Sequence, residues 1–323
     1  MKPTSFITIN QRNYTFFDQK GFDVTSADHN ILFDLSYLTA LEVKGDHGRD
    51  FLQGQQSADI RKLTPQNMQS GALCNLQGRI IALMDILAWN HLFLVLPHDL
   101  QQLTQKILSK PAAFSRVTLA PSTHSIFGFK LNQTQDLMPF DWTLPHEKHG
   151  VIFDERGLCY HVGHQSYVLM IPSIHQDALK NPFIQAQQLQ GSFAWHKQRL
   201  QEGHVEIYPE SSGLFLPHRL DLHKTDYLSF DKGCYRGQEI IARTHYRATL
   251  KHTLKQFTIT TKTPLQSGLK IMSIDGTQEI GEIIDFCAEE NHQYTIAASI
   301  LLEHPDRGRI GDQEIFLESL NKF

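Results

Sequence analysis

The chain is organised around the decapeptide Phe230-Asp231-Lys232-Gly233-Cys234-Tyr235-Arg236-Gly237-Gln238-Glu239. It places Cys234 between two cations, Lys232 and Arg236, and between two glycines, Gly233 and Gly237. Because glycine adopts positive φ without a steric penalty, both glycines are expected to form a turn that projects the thiol outward. Neighbouring positive charge favours the thiolate, the nucleophilic form of cysteine, so the pattern indicates a reactive thiol.

The residues that follow the motif favour a helix that begins near Gln238. Cys234 would then lie just before a helix N-terminus, where the helix dipole again favours an anion. A second interpretation is equally open. Gly-x-x-x-Gly can be a tight loop in which Cys234 merely fills a small space.

Length and composition indicate an ordinary globular protein. The 323 residues exceed what one core usually holds, so two or three domains are expected, and the 41% hydrophobic content is typical of folded chains. The formal net charge of −4 argues against a broad nucleic-acid surface, which would usually be basic. Direct nucleic-acid binding is therefore not expected.

The spacing of the cysteines excludes several kinds of site. Cys74, Cys159, Cys234 and Cys287 lie more than fifty residues apart from one another, so no zinc ribbon, thioredoxin-like pair or Cys-x-x-Cys cluster site is predicted. No metal site is predicted elsewhere. The first fifteen residues lack an apolar signal region, and no run approaches eighteen apolar residues. We expect a soluble cytosolic protein without a membrane partner.

A helix is predicted over residues 192–202, with Gly203 as its stop. It carries Trp195 and Arg199 four residues apart, and hence on one face. An aromatic ring and a guanidinium on one face would suit a planar, anionic ligand. The alternative is a tryptophan packed in the core with an arginine lying beside it.

Strand patterns occur on both sides of this helix. Residues 71–76 and 79–87 flank Gln77-Gly78 and predict a β-hairpin. After residue 251, strand-like runs recur every ten to fifteen residues with Gly, Asp and Asn between them. That spacing is typical of a small antiparallel barrel.

The motif also carries a resemblance to a known family. Lys-Gly-Cys-Tyr-x-Gly-Gln-Glu, followed by Ala242-Arg243, is similar to the signature of the YgfZ family. These are folate-binding proteins that assist iron–sulfur cluster assembly, were once named tRNA-modifying proteins, and are related to the glycine-cleavage aminomethyltransferase. The similarity runs from about Leu35 to about Arg247.

The resemblance implies an α+β fold like that of the aminomethyltransferase. It has three subdomains with antiparallel sheets, flanking helices and a C-terminal β-barrel. We expect the subdomains at residues 1–131, 132–247 and 248–323, with the motif loop in the second and with the first two interleaved.

The resemblance also implies a function and a site. Tetrahydrofolate or another folate would be the cofactor, and iron–sulfur client proteins would be the partners of a monomeric protein. Cys234 and Lys232 would form the reactive site. The expected folate contacts are Trp195, Leu38, Tyr235, Gln238 and Arg199.

Three positions depart from the family pattern. Leu38, with Tyr37 beside it, stands where the family usually has an aromatic residue that helps to line the folate pocket. Asp231 replaces a common second lysine and weakens the positive field around Cys234. Ala248 replaces the glycine that usually follows the arginine at Arg247.

Two other functions remain open. A folate-dependent aminomethyl or one-carbon transferase would need an acid–base group near the reactive nitrogens, for which Asp59 and Glu239 are the candidates. The resemblance implies that the Lys-Gly-Cys-Tyr motif does not occur in the aminomethyltransferase branch of the fold. A tRNA-binding module is disfavoured by the acidic net charge.

Overall fold

The structure is a computed structural model that describes residues 5–17 and 28–320. These residues form twenty strands, arranged in four sheets, and five α-helices. The strands are β1 (Ser5–Ile9), β2 (Arg12–Phe16), β3 (Ile31–Asp34), β4 (Leu38–Lys44), β5 (Gln69–Cys74), β6 (Ile80–Trp89), β7 (His91–Pro97), β8 (Thr118–Pro121), β9 (Ser125–Lys130), β10 (Val151–Asp154), β11 (Gly157–His161), β12 (Ser166–Ile171), β13 (Leu189–Gln190), β14 (His252–Thr260), β15 (Lys270–Met272), β16 (Glu279–Ala288), β17 (Gln293–Leu301), β18 (Arg307–Ile310), β19 (Gln313–Phe316) and β20 (Glu318–Ser319). The helices are α1 (Gly48–Gln55), α2 (His98–Phe114), α3 (Gln176–Gln185), α4 (Ser192–Gln201) and α5 (Gln238–Arg247).

A five-stranded antiparallel sheet has the order β5-β6-β7-β4-β8. The predicted hairpin is confirmed as β5 and β6, which pair in register from Gln69 and Ile86 to Leu73 and Ala82. Strand β6 buries most of its side chains, as its nearly continuous apolar sequence requires. Helix α2 packs against β4, β6, β7 and β8 of this sheet.

A six-stranded sheet has the order β10-β11-β12-β9-β3-β13. Strands β3 and β9 come from the first predicted subdomain, and the other four come from the second. β13 pairs with β3 in parallel, while the remaining pairs of this sheet are antiparallel. The exact boundary at residue 131 stays a prediction.

The C-terminal strands form a seven-stranded, nearly closed, barrel-like sheet in the order β19-β18-β15-β16-β17-β14-β20. The long strands β14, β16 and β17 pair along most of their length and make its centre. This arrangement confirms the predicted barrel and, with the helices and the antiparallel sheets, the α+β fold class.

Helix α4 is the element on which the parts of the fold converge. It contacts β2 of the N-terminal hairpin, β3 of the six-stranded sheet, and β16 and β17 of the barrel. Its first five residues are buried, from Ser192 to His196. Residues on the outer side of its last turn, including Arg199, therefore open onto the space between the sheets. No described helix is both long and apolar enough to cross a membrane.

Candidate functional site

The motif loop, residues 230–237, leads into helix α5, as the sequence predicts. Gly237 directly precedes the helix with a φ of 81°, a conformation that favours glycine. A Cβ atom at this position would collide with the carbonyl oxygen of Asn75. Gly233 lies outside the positive-φ region, and a Cβ atom there would meet nothing within 4 Å. The expectation that both glycines adopt positive φ is therefore wrong for Gly233.

The side chain of Lys232 points into the protein. Its Nζ atom donates hydrogen bonds to the carbonyl oxygens of Gln53, Gln56 and Ala58, at 2.7, 2.5 and 2.7 Å. These carbonyls lie at and after the end of helix α1, where a helix leaves carbonyl groups without an internal partner. Burial lowers the pKa of the Lys232 ammonium to about 8, although the nearby carboxylate of Asp59 raises it.

Cys234 is the exposed cysteine of the described chain, whereas Cys74, Cys159 and Cys287 are buried. Burial raises the pKa of the Cys74 thiol to about 12, and burial also raises the pKa values of the Cys159 and Cys287 thiols. The exposure of Cys234 agrees with an outward-facing thiol. Because the Lys232 ammonium is committed to backbone carbonyls, its role in activating that thiol stays a prediction.

Tyr235 and Gln238 hold the motif loop together. The backbone N–H of Tyr235 donates to Oε1 of Gln238 at 3.2 Å, and Nζ of Lys232 lies 4.9 Å from the centre of the Tyr235 ring. Tyr235 is buried, which raises the pKa of its phenol. Neither Tyr235 nor Gln238 lines either of the two cavities described next, so their contact with folate stays a prediction.

Two adjoining cavities open between the sheets beside helix α4. The first has a volume of about 110 Å³ and the second about 250 Å³. Ligand sites usually span about 300–1,000 Å³, so a ligand as long as folate would have to extend through both. Both cavities share the lining residues Leu83, Asp85, Val162, Arg199, His204, Val205 and Tyr227.

Three of the predicted folate contacts line the first cavity: Leu38, Trp195 and Arg199. The Trp195 ring packs against Phe33, with the ring centres 5.3 Å apart, and it lies directly above Gly128. Any side chain at Gly128 would place its Cβ 2.6 Å from the Trp195 ring, so the tight β9 strand makes room for the indole. Only 4% of Trp195 is exposed, which leaves a small part of the ring to face a ligand.

Arg199 connects the two cavities. Its guanidinium carbon lies 5.6 Å from the centre of the Trp195 ring, and its Nη1 atom pairs with the Glu202 carboxylate at 2.6 Å. The predicted shared face of Trp195 and Arg199 is therefore present. Stacking on the indole and pairing with Glu202 hold the guanidinium at the junction of the cavities.

Asp85 is a cavity residue that the sequence did not single out. It projects from strand β6 and accepts hydrogen bonds from the Ser70 hydroxyl at 3.2 Å and the Tyr160 hydroxyl at 3.0 Å. Burial raises the pKa of the Asp85 carboxyl to about 6, although these two hydroxyls lower it. Its position in an apolar strand gave no local signal, since its partners come from other strands.

Glu206 is the second carboxylate in the first cavity. It pairs with Nη1 of Arg12 at 2.7 Å and accepts a hydrogen bond from the Tyr37 hydroxyl at 2.8 Å. Arg12 also pairs with Asp99 at 2.7 Å and donates to the carbonyl oxygen of Ile207. Strands β1 and β2 thus form a hairpin whose buried Arg12 pairs with Glu206 of the cavity wall.

The two acid–base candidates of the transferase hypothesis lie away from both cavities. Asp59 pairs with Arg61 at 2.7 Å, and the hydrogen bonds from Arg61 hold the pKa of the Asp59 carboxyl well below its usual range. Glu239 lies on the exposed side of α5. Among the described residues, no group of three or more His, Cys, Asp and Glu side chains is arranged to hold a metal ion.

Comparison with known proteins gives relatives but no match to a family model. A "tRNA-modifying protein YgfZ" of Blochmanniella pennsylvanica is 29% identical over 64% of this chain and 66% of that protein. Proteins of the same name from Buchnera aphidicola and Colwellia psychrerythraea are 27% and 25% identical, over 68% and 74% of their lengths. The chain thus spans just under two thirds of the first of these relatives.

A solved structure shares the fold. The glycine cleavage system aminomethyltransferase T from Bartonella henselae superimposes with a TM-score of 0.73 and covers 98% of this chain and 94% of its own. The two sequences are 13% identical, so the likeness concerns the fold alone.

Proposed function

We propose that this chain, which is similar to proteins of the YgfZ family, is a folate-binding accessory protein. It binds tetrahydrofolate or another reduced folate and supports the assembly or repair of iron–sulfur clusters in client enzymes, including enzymes that modify tRNA. It acts in the cytoplasm as a monomer. Cys234 is its reactive residue.

The observation that carries the folate proposal is the wall of the first cavity. Trp195 and Leu38 offer apolar surface to a flat ring, and Arg199 offers a cation at the point where the two cavities meet. A folate combines a flat pterin with a carboxylate-bearing tail, so it needs both kinds of surface. The two adjoining cavities also supply the length that neither has alone.

The folate proposal is tested by calorimetry with tetrahydrofolate. Trp195→Ala should weaken binding about tenfold or more, because it removes the ring surface and the stacking partner of Arg199. Trp142→Ala is the matched control, since Trp142 is also buried but packs in a different core cluster. Equal affinity in the wild type and Trp195→Ala, with both proteins folded, would refute the placement of the folate.

The proposal for the thiol rests on the exposure of Cys234 just before the start of helix α5. Its test is the recovery of iron–sulfur enzyme activity in a strain that lacks this protein. Cys234→Ser should fail to restore activity. Gly233→Ala, which changes the same loop where a Cβ meets no atom within 4 Å, should restore it. Full recovery with Cys234→Ser would remove the thiol from the function.

The fold also favours a second function, one-carbon transfer to a folate. The carboxyl that could serve as an acid–base group is Asp85, which lines both cavities with a pKa raised by burial to about 6. Asp59 and Glu239 lie outside both cavities. Turnover with an aminomethylated lipoyl carrier protein and tetrahydrofolate would support this function, and binding of folate without turnover would support the accessory role.

The printed names of the relatives raise direct tRNA binding as a third possibility. The net charge of −4 weighs against it. A complex with tRNA that persists at physiological salt and weakens steeply as salt rises would revive it.

A further inference from the structure

The first cavity contains two carboxylates, Asp85 and Glu206, and their surroundings differ in charge. Glu206 is neutralised by Arg12 at 2.7 Å and receives the Tyr37 hydroxyl at 2.8 Å. Arg12 is itself held by Asp99, so this ion pair is a closed structural unit. The charge of Glu206 is thus already balanced within the protein, and a cationic ligand group would stabilise it little further.

Among the residues that the structure describes, Asp85 forms no ion pair, and its charge is balanced only by a through-space attraction from the Arg199 guanidinium. Its two oxygens accept from the neutral hydroxyls of Ser70 and Tyr160, and no cation of the described chain pairs with it. The guanidinium of Arg199, which lines the same cavities, pairs with Glu202 instead. Removing a carboxylate from water without a paired cation costs free energy. A ligand that supplies positive or strongly donating groups would offset that cost.

The free hydrogen-bonding positions of Asp85 define the ligand group that fits. Oδ1 accepts one bond from Ser70 and Oδ2 accepts one from Tyr160, so each oxygen keeps capacity for another donor. Two neighbouring N–H donors in one plane would bind both oxygens together, as a guanidinium does. Asp85 also opens onto both cavities and is only partly buried, so a ligand can reach it.

We propose that Asp85 binds the 2-amino and N3–H edge of a pterin and so orients the folate in the cavity. This edge presents two parallel N–H donors in the plane of the ring, which matches the free positions of the carboxylate. The ring then lies in the first cavity, whose wall includes Trp195. The inference rests on the proposed folate binding and adds the group that distinguishes a pterin from other flat rings.

Calorimetry with two probes tests this proposal. Asp85→Asn should weaken tetrahydrofolate about 10- to 100-fold, the effect of losing hydrogen bonds to a charged group. It should leave p-aminobenzoylglutamate, which lacks the pterin, within twofold of the wild type. Asp154→Asn is the matched control, because Asp154 is a part-buried carboxylate that also accepts side-chain hydrogen bonds but lies outside both cavities.

The outcomes separate the two proposals. If the wild type binds no tetrahydrofolate, the proposed function fails. If it binds and Asp85→Asn binds as tightly, only the role of Asp85 is refuted. Should Asp85→Asn not fold, the wild type can be titrated with pterin and with 3-methylpterin, which lacks the N3–H. A clear preference for pterin supports the proposal, and equal binding overturns it.

Discussion

Lys232 directs its charge into the protein and acts as the partner of three carbonyls. Lys232→Met would leave the carbonyls of Gln53, Gln56 and Ala58 without their donor. We expect a loss of about 2 kcal/mol in unfolding free energy, since unpaired buried polar groups cost more than the desolvation saved. Urea unfolding of the wild type and the variant measures this. An unchanged midpoint would show that water replaces the ammonium without cost.

The four cysteines should differ sharply in reactivity. Cys234 is exposed and Cys74, Cys159 and Cys287 are buried. A thiol-specific disulfide reagent should therefore modify one thiol rapidly in the native protein and the other three only on unfolding. In Cys234→Ser the rapid phase should vanish. A second rapid thiol would mean that one of the buried cysteines opens to solvent in the native state.

Asp85 should make stability depend on pH. Its pKa is raised from 3.8 in the unfolded chain to about 6, so the folded state holds its proton more tightly. The stability that this gives is fully present below pH 3.8 and is lost as the pH rises through 6. Asp85→Asn lacks this loss. At neutral pH its free energy of unfolding should therefore exceed that of the wild type by up to about 3 kcal/mol.

Thermal unfolding of both proteins between pH 4 and pH 8 tests that trend. Among the other groups at the cavities, burial raises the pKa values of Tyr160 and Tyr227 and lowers the pKa of His204. The Arg199 guanidinium lowers the pKa of Asp85, and the Glu206 carboxylate raises it. Folate affinity should move the other way and strengthen above pH 6, where Asp85 is ionised.

At the scale of elements, the start of helix α5 depends on one close approach. Gly237 adopts positive φ against Asn75, while Gly233 has free space. Gly237→Ala should destabilise the protein by about 2 kcal/mol or more, and Gly233→Ala should change stability by less than about 0.5 kcal/mol. Chemical denaturation of this pair of variants compares the two positions directly. Equal effects would contradict the packing of the β5–β6 turn on α5.

The N-terminal hairpin is joined to the cavity through Arg12. Arg12→Met would leave the carboxylates of Asp99 and Glu206 without their cation. Breaking such a buried pair costs about 3–5 kcal/mol, and we expect a loss near the lower end because both carboxylates are partly exposed. Denaturant unfolding gives the size of the loss. Stability equal to that of the wild type would show that the hairpin docks through its apolar side chains alone.

Across the whole molecule, local patterns predicted the elements better than the contacts between them. The β5–β6 hairpin, helix α4 with Trp195 and Arg199 on one face, and the start of α5 follow from spacing and turn residues. Arg12 and Asp85 were missed because their partners lie far away in sequence: Arg12 pairs with Glu206, and Asp85 with Tyr160. The inward turn of Lys232 depends likewise on distant carbonyls.

The six-stranded sheet also constrains how the chain can be synthesised and folded. Its strand β3, near the N-terminus, is flanked by β9 and by β13, which the ribosome makes much later. During translation one edge of β3 stays without its backbone partner until residues 189–190 emerge. Pairings between segments this distant in sequence are slow to form. Until then the nascent chain exposes an apolar edge, Ile31-Leu32-Phe33, and a chaperone that shields this edge would lower the risk of aggregation.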